Sequence, residues 1–306
     1  MRQVLLPMLL AFAACGAERA VETPVPNEDT NVELFEDVLA QHQALNRRVE
    51  EVAHRILVAN ADWCPETVQT VGLSAHTLKD YPEDIRPLAR ALLGVDEGMS
   101  VRSVVADGPA SRAGVEAGDA IRKVGTMPIE RSVVAERIWS IAQGREMQEP
   151  SVAMELLRDG NRVAVEMETV ETCDAEVALI FSEAINAHTD GETLYITTEL
   201  VRRTESDARL ALILAHELGH VILHGGEVEL GPTIELEADA AGLALIARAG
   251  YDLDAAVSEM DRFGQTLTRG FSGTHPLHTE RVRRLRELQA ELETGAEPRL
   301  PENQAN

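Results

Sequence analysis

The periodicity of apolar positions changes along the chain, and each change marks an element. Between Asn31 and Asn60, Leu34, Val38, Leu45, Val49, Val52 and Ile56 recur at steps of three, four and seven. That spacing predicts one long amphipathic helix. Its repeat is not strict over enough heptads for a coiled coil, so the helix is expected to pack on the rest of the chain. From about residue 91 to 170 the period falls to two. Strands are predicted at Val101–Val105 and Ala120–Val124, and a helix capped by Ser132 runs through Ala142. Val152–Leu157 and Val163–Met167 then form a hairpin about Asp159-Gly160, a strong two-residue turn signal. After Cys173, Glu176–Phe181 reads as a strand. Ile185–Gly191 reads as a turn into Leu194–Thr197, with Asp190-Gly191 as the hairpin signal.

Leu210 to His224 is almost continuously apolar and reads as a helix. Thr204 with Asp207 makes a capping-box-like start, and Gly225-Gly226 suits a left-handed end. A second helical stretch runs from Thr233 to Leu243, where Ala238, Ala240, Ala241 and Gly242 permit close helix packing. Tyr251-Asp252 opens a further helix that includes Met260 and Phe263, and Arg281–Leu292 is the last. Beyond Thr294 the chain is polar with Pro298 and Pro301, and is expected to be disordered.

Composition narrows the picture. A length of 306 residues accommodates two domains. With 44% hydrophobic but only 3% aromatic residues, the core must be built from Leu, Val, Ile and Ala. The net charge is -24, from 52 acidic and 28 basic residues, which argues against a nucleic-acid partner.

The first residues carry an address. Met1-Arg2-Gln3 precedes an apolar run from Val4 to Ala14, too short to span a membrane and suited to a secretory signal. Phe12-Ala13-Ala14-Cys15 resembles a bacterial lipobox, with Phe12 departing from the usual aliphatic residue; this resemblance makes Cys15 a lipidated first residue and a membrane anchor. Ordinary cleavage near Ala13 is the alternative, giving a soluble periplasmic protein. Gly16 resembles an outer-membrane sorting signal. Glu18 to Thr30 reads as a flexible tether. With Cys15 lipidated, Cys64 and Cys173 remain as an even pair in an oxidising compartment, and a disulfide between them is expected to staple the ends of the segment they flank.

The chemistry concentrates at His216-Glu217-Leu218-Gly219-His220. A four-residue spacing puts His216 and His220 on one helix face, where two imidazoles grip one Zn²⁺. Glu217 lies beside the metal without binding it, as a general base must. Glu235 is the expected third ligand, and Asp239, one turn on, the group that holds the outer nitrogen of a ligand histidine. Glu237 is the alternative ligand; it sits about 200° around the helix from Glu235 and lacks a carboxylate one turn later, where position 241 is Ala. A metzincin continuation is excluded, because Leu223 and Gly226 hold the required Gly and His positions. His224 reads as a cation near a helix C-terminus, and His188 as a surface turn residue.

These motifs, with Glu235-Leu236-Glu237-Ala238-Asp239, His275-Pro276 and Arg281, resemble the gluzincin family that contains HtpX-type and CAAX-prenyl-type zinc endopeptidases, over about residues 175–290. The resemblance implies one zinc per chain held by His216, His220 and Glu235, with Glu217 as base and Asp239 as orienter. It places His275 and Arg281 near the reacting carbonyl, where they would stabilise an oxyanion; His275 is alternatively a fourth ligand that keeps the enzyme latent. Members of those two types have several membrane spans and this chain has none. Gly108 to Asp119 resembles the core of a bacterial PDZ domain, with Leu93, Gly94 and Val95 in the peptide-binding nest and Asp96-Glu97-Gly98 interrupting the strand that should follow. By resemblance, the edge of the hairpin near residue 190 lines the cleft and binds substrate backbone.

The expected fold is therefore α+β: a mainly helical gluzincin-type domain with a small sheet, plus an inserted PDZ domain, itself a small β-barrel with helices. The expected organisation is a signal peptide at 1–14, a tether at 15–30, an N-terminal helix and the start of the peptidase domain at 31–90, the PDZ domain at 91–170, the peptidase domain at 171–293 and a disordered tail at 294–306. The function expected is a zinc endopeptidase of the bacterial envelope, facing the periplasm, acting on misfolded or misassembled envelope proteins. A PDZ-containing, chaperone-like factor with a latent zinc site is the alternative.

Overall fold

The computed structural model describes residues 28–95, 98–129, 134–225, 231–267 and 278–301. Its class is α+β. The order of elements is α1 (Glu28–Ala59), β1 (Thr67–Thr70), β2 (Leu73–His76), α2 (Arg86–Leu93), β3 (Ser100–Val104), α3 (Pro109–Arg112), β4 (Ala120–Val124), β5 (Met127–Pro128), α4 (Ala135–Arg145), β6 (Ser151–Arg158) and β7 (Asn161–Glu168). There follow β8 (Val170–Cys173), β9 (Glu176–Ile180), β10 (Ala187–Thr189), β11 (Thr193–Thr197), α5 (Thr198–Arg203), α6 (Asp207–His224), α7 (Pro232–Arg248), α8 (Leu253–Leu267) and α9 (His278–Glu293).

Two main cores organise these elements. One is helical and aliphatic. Val49, Val52 and Ile56 of α1 meet Leu210, Leu214 and Leu218 of α6, Leu243 and Leu245 of α7, and Leu194 and Ile196 of β11. The other fills a sheet of order β2-β3-β4-β6-β7 with β5 beside β4, where Val101, Ile121, Met154 and Leu156 pack under Trp139 and Ala142 of α4. The β6–β7 hairpin turns at Asp159 and Gly160, both at positive φ (49° and 78°), the mirror-image geometry that suits the strand twist.

The sheet begins upstream of residue 91. Leu73–His76 pairs antiparallel with β3, and β1 pairs with β8 in a separate ribbon, so the module starts before α2. Leu93 ends α2, Gly94 is its left-handed cap at φ 65°, and Val95 is buried against Leu78 and Ala89. These three residues carry the chain out of α2 toward β3. Residue 132, the expected cap of α4, lies outside the described residues. Cys64 and Cys173 are joined as a disulfide with Cα atoms 5.5 Å apart, where the chain leaves and re-enters the helical core. Residues 294–301 follow α9 without regular secondary structure beyond a turn.

The start of α6 also differs from its expectation. Ser206, not Thr204, is the N-cap, accepting from Arg209 N at 3.2 Å. Thr204 turns its hydroxyl to Leu200 O at 2.8 Å and finishes α5 instead. The carboxylate of Glu259 on α8 accepts from Glu205 N at 2.6 Å and Ser206 N at 3.1 Å, takes the Ser206 hydroxyl, and lies 3.5 Å from the Arg209 guanidinium. A negative charge at a helix N-terminus is favourable, and the buried Arg209 needs it.

Polar groups join α1 to the sheet. Glu50 accepts from the hydroxyls of Ser74 (2.9 Å) and Ser103, from Asn46 at 2.7 Å, and lies 3.2 Å from Arg102. Nearby, His76 Nδ1 faces the Tyr81 hydroxyl at 2.7 Å, which also accepts from Gln43 at 3.0 Å. Burial, helped by Arg102, pulls the His76 pKa down to about 3, and burial pushes Tyr81 up to about 12.

Two outcomes are expected. Glu259→Ala removes the acceptor at the start of α6 and a carboxylate beside the buried Arg209, and should lower unfolding free energy by about 3 kcal/mol, read from the urea midpoint. His76 is neutral when folded, whereas the unfolded chain protonates it below about pH 6.5. Its contribution is therefore present above that pH and declines as pH falls toward the folded value near 3, by up to about 1.4 kcal/mol per unit. Urea midpoints at two acidic pH values should show a shallower loss in His76→Gln than in the parent.

Candidate metal centre

The site is built where α6 crosses α7. The two helices approach closely because small residues meet there. A Cβ on Gly242 would stand 3.0 Å from His216 N and 3.2 Å from its Cα; one on Gly219 would stand 3.1 Å from Ala238 O and from Ala241 Cβ. This contact lays the first turn of α7 beside the histidine face of α6. His216 and His220 point their Nε2 atoms at one another, 3.2 Å apart. Glu235 brings Oε2 to 3.6 Å from His216 Nε2 and Oε1 to 3.8 Å from His220 Nε2. Among the described residues, these three form the group of ligand-type side chains that could hold a metal ion. Separations of this size leave a common point about 2 Å from each ligand group, the length of zinc–nitrogen and zinc–oxygen bonds. Two imidazoles and a carboxylate are also the donor set such an ion prefers. The residues fit the metal.

The surroundings fix the ligands. Asp239 Oδ1 lies 3.0 Å from His216 Nδ1, so a carboxylate stands beside the outer nitrogen while Nε2 is turned inward. Arg281, from α9, makes a two-pronged pair with Asp239: Nε to Oδ2 at 2.7 Å and a terminal nitrogen to Oδ1 at 2.6 Å. Its other terminal nitrogen is 3.9 Å from Glu235 Oε2. The guanidinium is thus paired with Asp239, the carboxylate behind His216, and stands near Glu235. Burial works against ionising Asp239, but Arg281 and then His216 outweigh it and hold the carboxyl well below the usual range. Burial likewise depresses both imidazoles. At His216 the carboxylates of Asp239 and Glu235 override it and raise the pKa, while His220 is held down by burial and by its neighbour. A divalent cation competes with protons for the ring nitrogens that face one another here, so metal binding is coupled to proton release.

Glu217 is only 8% exposed, and burial raises its carboxyl pKa. His224 and Glu237 form a separate pair, Nε2 to Oε2 at 3.7 Å, so Glu237 stands with His224 and Glu235 with the two histidines. His275 and Cys15 lie outside the described residues. His188 is on a strand, not in a turn: β10 pairs antiparallel with β11, whose other side pairs in parallel with β9. The apolar runs around residue 190 hid this short strand, because polar Asn186, His188 and Thr189 interrupt the alternation.

A two-histidine helix with an adjacent buried glutamate, completed by a carboxylate from the next helix, has the construction of a metallopeptidase. Residues 150–229 and 227–289 match the model of peptidase family M48, which supports a metallopeptidase of that family. No curated protein matches the chain. Solved structures similar to parts of it include the HtrA-type protease AlgW with a decapeptide, at 22% identity over 34% of this chain and 30% of that one, with a TM-score of 0.26. The HtrA3 PDZ domain bound to a phage-derived ligand (FGRWV) is 20% identical over 35% of this chain and 89% of that one, TM-score 0.26. The serine endoprotease from Yersinia pestis is 25% identical over 34% and 29%, TM-score 0.23. The chain spans about a third of the length of AlgW and of the Yersinia pestis endoprotease, and TM-scores this low carry no argument.

If Arg281 orients His216 through Asp239, Arg281→Ala should weaken divalent-metal affinity roughly 10- to 100-fold. Competition with a chromogenic chelator measures this, and near-normal affinity in that variant would show the pair to be dispensable for the site.

Proposed function

We propose that the protein is a zinc-dependent endopeptidase of the bacterial cell envelope, of the HtpX or CAAX-prenyl-protease type, with an inserted PDZ domain. The observation that carries the reading is the convergence of His216, His220 and Glu235 with Glu217 buried beside them. Bound at those three residues, zinc would supply Lewis acidity toward a peptide carbonyl and an attacking water. Glu217 takes the proton of that water, and burial suits it to the task by raising its proton affinity. The same carboxyl then delivers the proton to the leaving amine. Asp239 and Arg281 keep His216 in the orientation and tautomer that ligation requires. His275 is assigned, by family resemblance, to the oxyanion.

The sheet of β2 to β7 with α4 packed across it supports the PDZ reading, and the sequence from Gly108 to Asp119 is its basis. Lipidation at Cys15, the 15–30 tether and an outer-membrane, periplasm-facing location rest on the N-terminal sequence. Among the described residues no helix is long and apolar enough to cross a membrane. The net charge of -24 supports protein rather than nucleic-acid substrates. Quality control of misfolded envelope proteins is the proposed task.

The deciding comparison is the purified protein against Glu217→Gln on an unfolded test protein, with zinc content matched. The parent should cleave, and the variant should lose on the order of 10²-fold or more in rate. No cleavage by either would favour the chaperone-like reading with a latent site; equal cleavage would remove Glu217 from the mechanism.

A further inference from the structure

The edge strand beside the metal centre carries a pair of rings that the chemistry above does not use. Along β10 and its two flanking residues, Asn186 O accepts from Thr197 N at 3.0 Å, His188 stands opposite Tyr195, and Asp190 N reaches Thr193 O at 3.4 Å. Residues 186, 188 and 190 therefore turn their backbone groups toward β11. In an antiparallel ladder the intervening residues, Ala187 and Thr189, turn theirs outward. The sheet order is β10-β11-β9, so that outward edge is unpaired among the described residues. β10 packs on α6, with Ile185 and Ala187 against the helical core. Side chains alternate, so His188 lies on the opposite face, exposed, and stacked on Tyr195 with ring centroids 4.9 Å apart and planes at 17°.

The stack is held in place. The Tyr195 hydroxyl donates to Asp190 Oδ2 at 2.9 Å, and Asp190 Oδ1 accepts from Glu192 N at 3.1 Å and Thr193 N at 2.8 Å. Asn186 Nδ2 faces His188 Nδ1 at 3.4 Å. An amide N–H there makes Nδ1 the acceptor and leaves the ring's own N–H on Nε2. The platform lies beside the site, since β10 packs on α6, the helix that carries His216, Glu217 and His220.

We propose that the stacked His188–Tyr195 pair is a specificity-determining seat for one substrate side chain beside the scissile bond. An extended substrate paired with Ala187 and Thr189 sets the side chain opposite His188 on the face of the two rings. There His188 Nε2–H selects residues with a hydrogen-bond acceptor, Gln and Glu above Leu. The inference rests on the endopeptidase reading, and its test separates the two.

The test uses zinc-loaded protein and a peptide library scanned position by position, including Gln/Leu pairs of nearly equal size. The parent should favour Gln over Leu at one position by roughly 3- to 10-fold in kcat/KM. His188→Phe keeps a ring on Tyr195 and removes the donor. It should erase or invert that ratio at that position alone, with the rest of the profile unchanged. Peptide binding to Glu217→Gln protein, with and without His188→Phe, should show the same ratio in Kd by fluorescence anisotropy. An unchanged Gln/Leu ratio in His188→Phe, or an equal loss on every peptide, overturns the seat while leaving the peptidase. A Gln preference in binding that depends on His188, with no cleavage by the parent, upholds the seat and overturns the peptidase. Absence of both binding preference and cleavage overturns both.

Discussion

Everything about the site depends on how closely α6 and α7 approach. Neither helix holds a metal alone: α6 supplies two imidazoles, and the third donor sits on the next helix, across a stretch of chain. Gly242 lies against the backbone of His216, and Gly219 against Ala238 and Ala241. A methyl at either place would meet backbone or a neighbouring Cβ that has little room to give. Displacement of α7 by a few tenths of an ångström would act directly on the Glu235 separations of 3.6 and 3.8 Å. The small residues therefore set ligand geometry as well as packing density.

The second constraint is electrostatic. Asp239 is buried and ionised, which is costly unless it is paired. It has a partner on each side, His216 at 3.0 Å and Arg281 at 2.6 and 2.7 Å. Arg281 comes from α9, so the last helix of the domain reaches the metal centre through one carboxylate. Around it, α9 is held to its own surface by Arg283 and Arg284 with Glu280, pairs of small individual worth. The consequence of α9 for the site thus lies in one buried contact rather than in its charged face.

Much of this was legible because the physics was local. A four-residue histidine spacing is a statement about one helix face, and the second carboxylate pair, Glu235 and Asp239, repeats that spacing. Helix ends at Gly225 and the hairpin at Asp159-Gly160 follow from positive φ. The sequence was silent where partners come from far away. Ser206 displaces Thr204 as the cap of α6 because Glu259 on α8 receives the free N–H groups there. β10 escaped notice because it is three residues long and exists by pairing with β11. Leu73–His76 was unreadable as a strand for the same reason, its partner β3 lying beyond α2. Family resemblance put Arg281 near the site, but only the fold shows which side of the ligands it occupies.

The sheet and the metal domain share α1, and the polar face of that helix decides how independent they are. Its apolar face is buried with α6 and α7. Arg48 holds the α5–α6 junction at Thr204 O, 2.9 Å, and Arg55 holds Ala249 O and Gly250 O beyond α7 at 2.7 and 2.8 Å. Cations placed on free carbonyls at helix ends are favourable. The same helix turns Glu50 toward Ser74, Ser103 and Arg102 of the sheet. Glu50 is largely shielded from water, its side chain 15% exposed, so separating the two parts would strand a charge. The Cys64–Cys173 bond ties the two chain crossings at the end of α1. Any rearrangement of the sheet relative to the helical core would therefore have to break the contacts of Glu50 with Ser74, Ser103 and Arg102.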